Sequence, residues 1–189
     1  MKAIFTSTAT IVVIAAALIT GCKSKEKIPA GEKEVIIPCS GSDYFTDSKV
    51  FRANSSGESM DMVTAKKKAL ANARAELAQS ISTTVKVVTD NYVNSREMNN
   101  KEQVEERFES LNREVVDQTL TGVRTICEKN VKTESNTYKT YIAIELSASD
   151  LVSKYNERLS KDERLKIDYD YEKFKETFDK EMEKRASGN

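Results

Sequence analysis

Residues 65–81 read AKKKALANARAELAQSI, and the small and apolar side chains in this stretch recur with a helical period. The same stripe continues towards residue 92. Its members are Ala65, Ala69, Ala73, Leu77, Ile81, Val85, Val88 and Tyr92. Steps of four and three place these residues on one face of an α-helix. The pattern predicts a long helix from residue 62 whose alanines approach a neighbouring element closely and whose bulkier half faces a deeper groove.

A second helix is predicted at about residues 96–120. Its apolar residues, Val104, Phe108, Leu111 and Val115, are spaced by four, three and four. This spacing is typical of a coiled-coil seam, although the three heptads of a stable coiled coil are not present. An antiparallel hairpin with the first helix is therefore favoured over a free coiled coil.

Short apolar segments flank this helical pair and predict strands at residues 35–37, 50–53, 123–132 and 138–146. In the last segment Tyr138, Thr140, Ile142, Ile144 and Leu146 share one face, as alternation along a strand requires. The predicted fold class is α+β: a small antiparallel sheet of about four strands, packed against a long helical hairpin and followed by C-terminal helices.

Two C-terminal helices complete this prediction. Ser147 begins a motif typical of a capping box, which opens a helix over about residues 148–159. Asp168 or Asp170 can cap a last helix. That helix would carry Phe174, Phe178 and Met182 on one side.

The first residues of the chain are typical of an export signal. Lys2 precedes the apolar run IVVIAAALI at residues 11–19, which is too short for the about 20 residues of a membrane span. The run ends in LITGC, residues 18–22, which resembles the lipobox of bacterial lipoproteins. Cleavage before Cys22 and acylation of its thiol are therefore predicted. An ordinary secretory signal that contains a cysteine is the alternative.

The predicted domain organisation follows from this signal. Residues 1–21 are a lipoprotein signal peptide, residues 22–34 a lipidated flexible tether, residues 35–160 an α+β domain and residues 161–189 a C-terminal helical extension. Lys23 stands where inner-membrane retention signals have an aspartate, so a bacterial outer-membrane location is expected. The tether has no acidic run. A body that faces the periplasm is therefore favoured over one exposed at the cell surface.

Composition excludes several kinds of chemistry. The 189 residues carry 30 basic and 30 acidic side chains, whereas a nucleic-acid binder needs a basic face. Histidine is absent, which removes the commonest general base and transition-metal ligand. We therefore expect no catalytic residues, no metal site, no cofactor and no enzymatic activity.

Two cysteines remain once Cys22 is acylated. An oxidising compartment favours a disulfide between Cys39 and Cys127. Two separate buried thiols, each acting as a small apolar core residue, are the alternative. The sequence leaves these two interpretations nearly balanced.

Other polar patterns have plain explanations. Asp168 and Asp170 are spaced as helix-capping residues rather than as an acid–base pair. The run of Lys66, Lys67 and Lys68 could attract acidic headgroups, but a solvated helix face is the ordinary interpretation. Four tyrosines, Tyr138, Tyr141, Tyr169 and Tyr171, could form a binding patch or could pack half-buried.

The motifs in this order resemble the LPP-twenty family of bacterial envelope lipoproteins. The matching features are FRA at residues 51–53, the alanine-rich helix at residues 65–81, and the strand pair that contains GVRTI (122–126) and YKTYIAI (138–144). The resemblance covers residues 35–159, and residues 167–174 look like an extension found in one branch of the family. It implies a location and a fold, but no reaction and no catalytic residues.

Two classes of function follow. The first is a non-enzymatic lipid-anchored envelope lipoprotein, structural or assembly-related, which acts through contacts with an envelope protein not identified by the sequence. The second is a ligand-binding or surface-adhesion lipoprotein with a pocket between sheet and helices. In both, the lipid anchor binds the membrane and no nucleic acid is a partner.

Overall fold

A computed structural model of the chain describes residue 29 and residues 31–95, 101–162 and 169–188. The chain divides into two units, Met1–Val35 and Ile36–Asn189. In the first unit the described residues form a turn in which the Glu32 N–H donates to the Pro29 carbonyl at 3.1 Å. The predicted signal peptide, the lipobox and Cys22 lie outside the described residues.

The second unit has a mixed α+β architecture with a small antiparallel sheet. Over the described residues its regular elements are β1 (Val50–Ser59), α1 (Met62–Asn94), α2 (Lys101–Thr119), β2 (Arg124–Lys132), β3 (Tyr138–Ser147), α3 (Ala148–Leu159) and α4 (Tyr171–Ala186). Two single turns of 3-10 helix, Ser42–Tyr44 and Leu120–Gly122, accompany them. The strands are ordered β1-β3-β2, and both neighbouring pairs are antiparallel.

The prediction of about four strands is wrong for the described residues, which form three. Residues 35–37 are extended but pair with no strand, and Val35 and Ile36 are 77% and 88% exposed. Three residues before Pro38, which has no N–H to donate, are too few to hold a place in a ladder. β1 is longer than the sequence predicts, because the polar residues 54–59 continue the strand instead of forming a loop.

α1 has the predicted face. All eight stripe residues are buried, none of them more than 1% exposed. The alanine half of the stripe packs closely on β1 at Gly57, where an added Cβ would lie 2.4 Å from the Ala69 nitrogen and 2.5 Å from the Ala65 oxygen. The helix begins at Asp61, whose side chain accepts from the Thr64 N–H at 2.8 Å.

The four helices share an aromatic core. Phe174 of α4 lies 5.6 Å from Tyr92 of α1, 6.2 Å from Phe108 of α2 and 6.0 Å from Tyr155 of α3, measured between ring centroids. Phe178 of the same helix meets Phe51 of β1 at 6.3 Å. The C-terminal helix is therefore packed into the centre of the second unit.

The remaining helical predictions have mixed outcomes. The predicted seam of α2 is buried, at 7% exposure or less, and α2 packs against α1. Residues 96–100, which join the two helices, lie outside the described residues, so the predicted hairpin connection is not described. Ser147 caps α3 by accepting from the Asp150 N–H, and Asp170 caps α4 by accepting from the Lys173 N–H. The alternative cap, Asp168, lies outside the described residues.

Candidate functional site

The two cysteines that the sequence leaves open are joined in a disulfide. Cys39 and Cys127 have Cα atoms 5.6 Å apart, and the bond links the segment before β1 to β2. Cys127 lies opposite Ala143 on β3. Gly57, which packs on α1, lies opposite Thr140, so Ala143 and Cys127 are on the other face of the sheet. The disulfide therefore fastens residues before the first strand to the face of the sheet opposite α1.

The same segment is held again at its other end. The Asp47 carboxylate accepts from the backbone N–H groups of Lys49 and Val50, at 2.8 and 3.1 Å. Its second oxygen binds the Arg52 guanidinium at 2.9 Å. Residues 39–47 are thus tied to the sheet by a covalent bond at one end and an ion pair at the other.

Arg52 belongs to a charged row that crosses the sheet. Glu145 of β3 lies opposite both Arg52 of β1 and Arg124 of β2 in the strand register. Its carboxylate accepts from Arg52 Nε at 3.1 Å and from Arg124 Nη2. Each strand contributes one member, so the row links all three strands.

Glu145 and Asp47, the two carboxylates that bind Arg52, are both held in the ionised form. Burial acts to raise the pKa of Glu145, but hydrogen bonds from Arg124 and Arg52 outweigh it and leave the pKa below its usual value. Burial likewise acts to raise the pKa of Asp47, and backbone N–H groups together with Arg52 lower it on balance. An ionised carboxylate bound to two guanidinium groups fastens strands together and is poorly suited to donate a proton.

An open groove of about 800 Å³ lies between α1 and α2. Its lining is polar and carries both signs of charge. The charged members are Lys86 and Asp90 of α1 with Glu105, Glu109 and Arg113 of α2. The groove lies between helices, whereas the ligand-binding interpretation of the sequence expects a pocket between sheet and helices.

A second groove, of about 690 Å³, lies where residues 44–46, β1, α1 and α4 meet. Arg52 and Arg185 line it together with Glu76 and Glu181. Arg185 lies 3.8 Å from Glu181 and 3.5 Å from the Ser80 hydroxyl. Both signs of charge are present here as well, so this groove favours neither an anion nor a cation.

The tyrosines singled out by the sequence do not form one patch. Lys132 and Lys139 place their ammonium groups 5.7 and 5.1 Å from the ring centroids of Tyr138 and Tyr141. Tyr169 instead packs in the helical core, 5.9 Å from Phe174.

Within the described ranges no three histidine, cysteine, aspartate or glutamate side chains come together in a way that could hold a metal ion. In the same part of the chain no helix is long and apolar enough to cross a membrane.

One surface feature was missed by the sequence reasoning. Met60, Met62 and Val63 are 73%, 47% and 57% exposed at the start of α1. Val131, at the end of β2, is 40% exposed. The sequence offers a local signal for three of them: Met60, Met62 and Val63 lie off the buried stripe and come shortly before the three lysines at 66–68.

Comparison with known proteins identified no relative of the chain. No protein-family model matches the chain, and no similar curated protein or solved structure was found.

Proposed function

We propose that the protein is a non-enzymatic lipoprotein of the bacterial envelope, anchored through Cys22 and acting through protein contacts in a structural or assembly role. The observation that carries this proposal is the use of the three cysteines. Cys39 and Cys127 are bonded to each other, which leaves Cys22, at the end of the lipobox, as the remaining thiol. A disulfide is typical of exported proteins, in agreement with the signal-like residues before Cys22.

The anchor follows from the chemistry of acylation. Each buried methylene contributes about 0.8 kcal/mol, so the two or three acyl chains of a bacterial lipoprotein anchor it stably in the bilayer. Lys23 after the acylated cysteine favours the outer membrane, and the tether without an acidic run favours a body that faces the periplasm. The relation to the LPP-twenty family is part of this proposal and rests on the sequence motifs alone.

The contact surface proposed for a partner is the α1–α2 pair. We take the two helices as arms of one hairpin, which is supported by the packing of Tyr92 on Phe108 at 6.0 Å. The groove between them is polar and open, as the rim of a protein interface commonly is.

The first experiment tests the anchor. Mass spectrometry of the mature N-terminus should find acylated Cys22, and Cys22→Ala should release the protein from the membrane fraction. An unmodified N-terminus at another residue would contradict the proposal. Protease added to intact cells should leave the body uncut, and ready digestion without permeabilisation would favour the surface-exposed alternative.

The alternative function is a ligand-binding or surface-adhesion lipoprotein. The observation that favours it is the same groove, because its mixed charges converge on one open space. A photo-cross-linker at Lys86 or Glu109 in intact cells separates the two candidates. A protein adduct supports the contact function, whereas a bound small molecule found by native mass spectrometry supports the alternative.

A further inference from the structure

One end of the second unit combines exposed apolar side chains with lysines. β1 and β2 finish and β3 begins at this end, because Ser59 and Lys132 both lie opposite Tyr138. The first two turns of α1 lie here as well, since Lys66 pairs with Glu128 of β2 at 2.9 Å and Lys68 donates to the Glu58 carbonyl at 3.1 Å. We call this end, from Glu58 to Lys68 with the facing residues 128–139, the lysine end.

The lysine end has four exposed apolar side chains. Met60, Met62 and Val63 are 73%, 47% and 57% exposed, and Val131 is 40% exposed. Asp61, which lies between the two methionines in sequence, binds the Thr64 N–H and hydroxyl through its carboxylate. Val131 lies on the same face of the sheet as Cys127, opposite α1, so the exposed apolar cluster beside α1 consists of Met60, Met62 and Val63. Exposed apolar side chains that are close together are typical of a surface covered by a partner or a membrane.

The charges of this end identify the kind of partner. The lysine end has more lysines than carboxylates. The lysines are Lys66, Lys67, Lys68, Lys129, Lys132 and Lys139, and the carboxylates are Glu58, Asp61, Glu128 and Glu134. Lys66 and Glu128 bind each other, which leaves five lysines against three carboxylates. Methionine and valine side chains at an end of the domain that also carries an excess of lysines suit the interface of an anionic bilayer, where the apolar groups enter and the ammonium groups bind phosphates.

We propose that the lysine end docks on an anionic phospholipid surface and so fixes the orientation of the anchored domain. This inference rests on the proposed anchoring at Cys22. The predicted tether, residues 22–34, would span roughly 20 Å as a flexible coil, which keeps the domain within reach of the bilayer. Because the acyl chains already provide the affinity, docking determines which face of the domain meets the membrane and which faces remain open to partners.

The absence of tryptophan from the sequence permits a direct test. Met60→Trp introduces a single fluorophore at the lysine end. Phe45→Trp is the matched control, because Phe45 is 62% exposed and its carbonyl accepts from Arg52 near the opposite end of β1. The seven residue steps from Arg52 to Ser59 span about 23 Å of strand, so the two reporters sample different ends.

Each variant of the mature lipidated protein is reconstituted into vesicles of phosphatidylcholine, with or without phosphatidylglycerol, that carry brominated acyl chains. In the anionic vesicles Met60→Trp should show a blue-shifted emission and quenching by bromine, and Phe45→Trp should show neither. Added salt should weaken the quenching. Lys67→Glu should weaken it too, whereas Lys86→Glu, on the same helix at the α1–α2 groove, should not.

Three results would overturn docking: equal quenching of the two reporters, stronger quenching of Phe45→Trp, or a concentration-dependent blue shift of Met60→Trp without vesicles. The last result would identify a second copy of the chain as the cover. Flotation with the vesicles reports separately on the anchor. Protein that floats with an unquenched Met60→Trp reporter contradicts docking alone, whereas protein that fails to float contradicts the proposed lipoprotein function.

Discussion

At the scale of single residues, Gly57 is required by the contact between β1 and α1. An added Cβ would lie 2.4 Å from the Ala69 nitrogen and 2.7 Å from the Lys68 Cβ. Both are fixed by the helix, so the strand would have to move. Gly57→Ala should therefore lower the free energy of unfolding by about 1–3 kcal/mol or more, as overpacking does.

The measurement is urea unfolding of the chain from residue 22 with Cys22→Ser. Gly122→Ala is the matched control, because a Cβ at Gly122 meets nothing within 4 Å. We expect Gly122→Ala to stay within about 0.5 kcal/mol of the parent. Equal stability of the two variants would show that β1 does not lie on α1 at this point.

Glu145 gives the fold a dependence on pH. Its pKa in the folded protein is lowered from 4.5, since the hydrogen bonds from Arg124 and Arg52 outweigh the effect of burial. Stabilisation by the ionised carboxylate is therefore complete above pH 4.5 and is lost as the pH falls through the lower, folded-state pKa. Glu145→Gln should cost about 1–3 kcal/mol at neutral pH, because two guanidinium groups lose a charged acceptor.

The difference in stability between parent and Glu145→Gln should narrow steadily in acid, and unfolding curves from neutral pH downwards measure it. Glu134→Gln, in the exposed turn between β2 and β3, is the control for loss of a carboxylate and should follow the parent. A difference that stays constant with pH would mean that the charge of Glu145 does not stabilise the sheet.

At the scale of the elements, the spacing of the alanines predicts where α1 is packed. Ala73 is fully buried, whereas Ala71 on the same helix is exposed. Ala73→Leu should lower the melting temperature, because a buried alanine leaves no room for three more carbons and overpacking costs about 1–3 kcal/mol. Ala71→Leu makes the same change on the exposed face, where leucine is a good helix former and should be neutral. If both variants melt like the parent, the alanine stripe is not the packed face.

The sequence predicted buried faces better than it predicted contacts. A helical period identifies the side of α1 that is buried, but it does not reveal what the other sides touch. Asn72 looks like an ordinary polar-face residue, yet its side-chain amide donates to the Ser56 carbonyl of β1 at 3.1 Å. Ser56 lies beside α1 because β1 continues to Ser59, beyond the strand predicted at residues 50–53.

Strand prediction failed where strand pairing outweighs composition. Residues 35–37 are apolar but have no neighbour in the ladder, while the polar residues 54–59 pair with residues 138–143 of β3 along their whole length. The row of Arg52, Glu145 and Arg124 was unpredictable for the same reason. Its members are distant in sequence, and only the strand register brings them together.

At the scale of the whole molecule, the disulfide joins parts that the hydrophobic core holds weakly. Cys39 is 5% exposed, but Ile36 and Ile37 before it are 88% and 50% exposed, and Phe45 after it is 62% exposed. The other ties of this segment are polar, such as the Asp47–Arg52 ion pair and a 3.0 Å hydrogen bond from the Arg52 N–H to Thr46. Covalent linkage therefore matters more here than in the aromatic core of the helices.

Removal of the disulfide should accordingly destabilise the domain without dismantling its helical core. The bond closes a loop over a separation of 88 residues, which in the chain-entropy model corresponds to about 4–5 kcal/mol. In a Cys22→Ser background, thiol reagents should find no reactive cysteine in the denatured, unreduced protein and both Cys39 and Cys127 after reduction. Cys39→Ser combined with Cys127→Ser should lower the urea midpoint relative to Cys22→Ser alone.

Hydrogen exchange should locate the effect of the double variant. The backbone amides of residues 36–49 should exchange first, because the other contacts of this segment are polar and partly exposed, whereas the amides of α1 near Leu77 and Ile81 should stay protected until global unfolding. Free thiols before reduction would show that the two cysteines are separate buried thiols, and an unchanged midpoint in the double variant would show that the bond does not stabilise the domain.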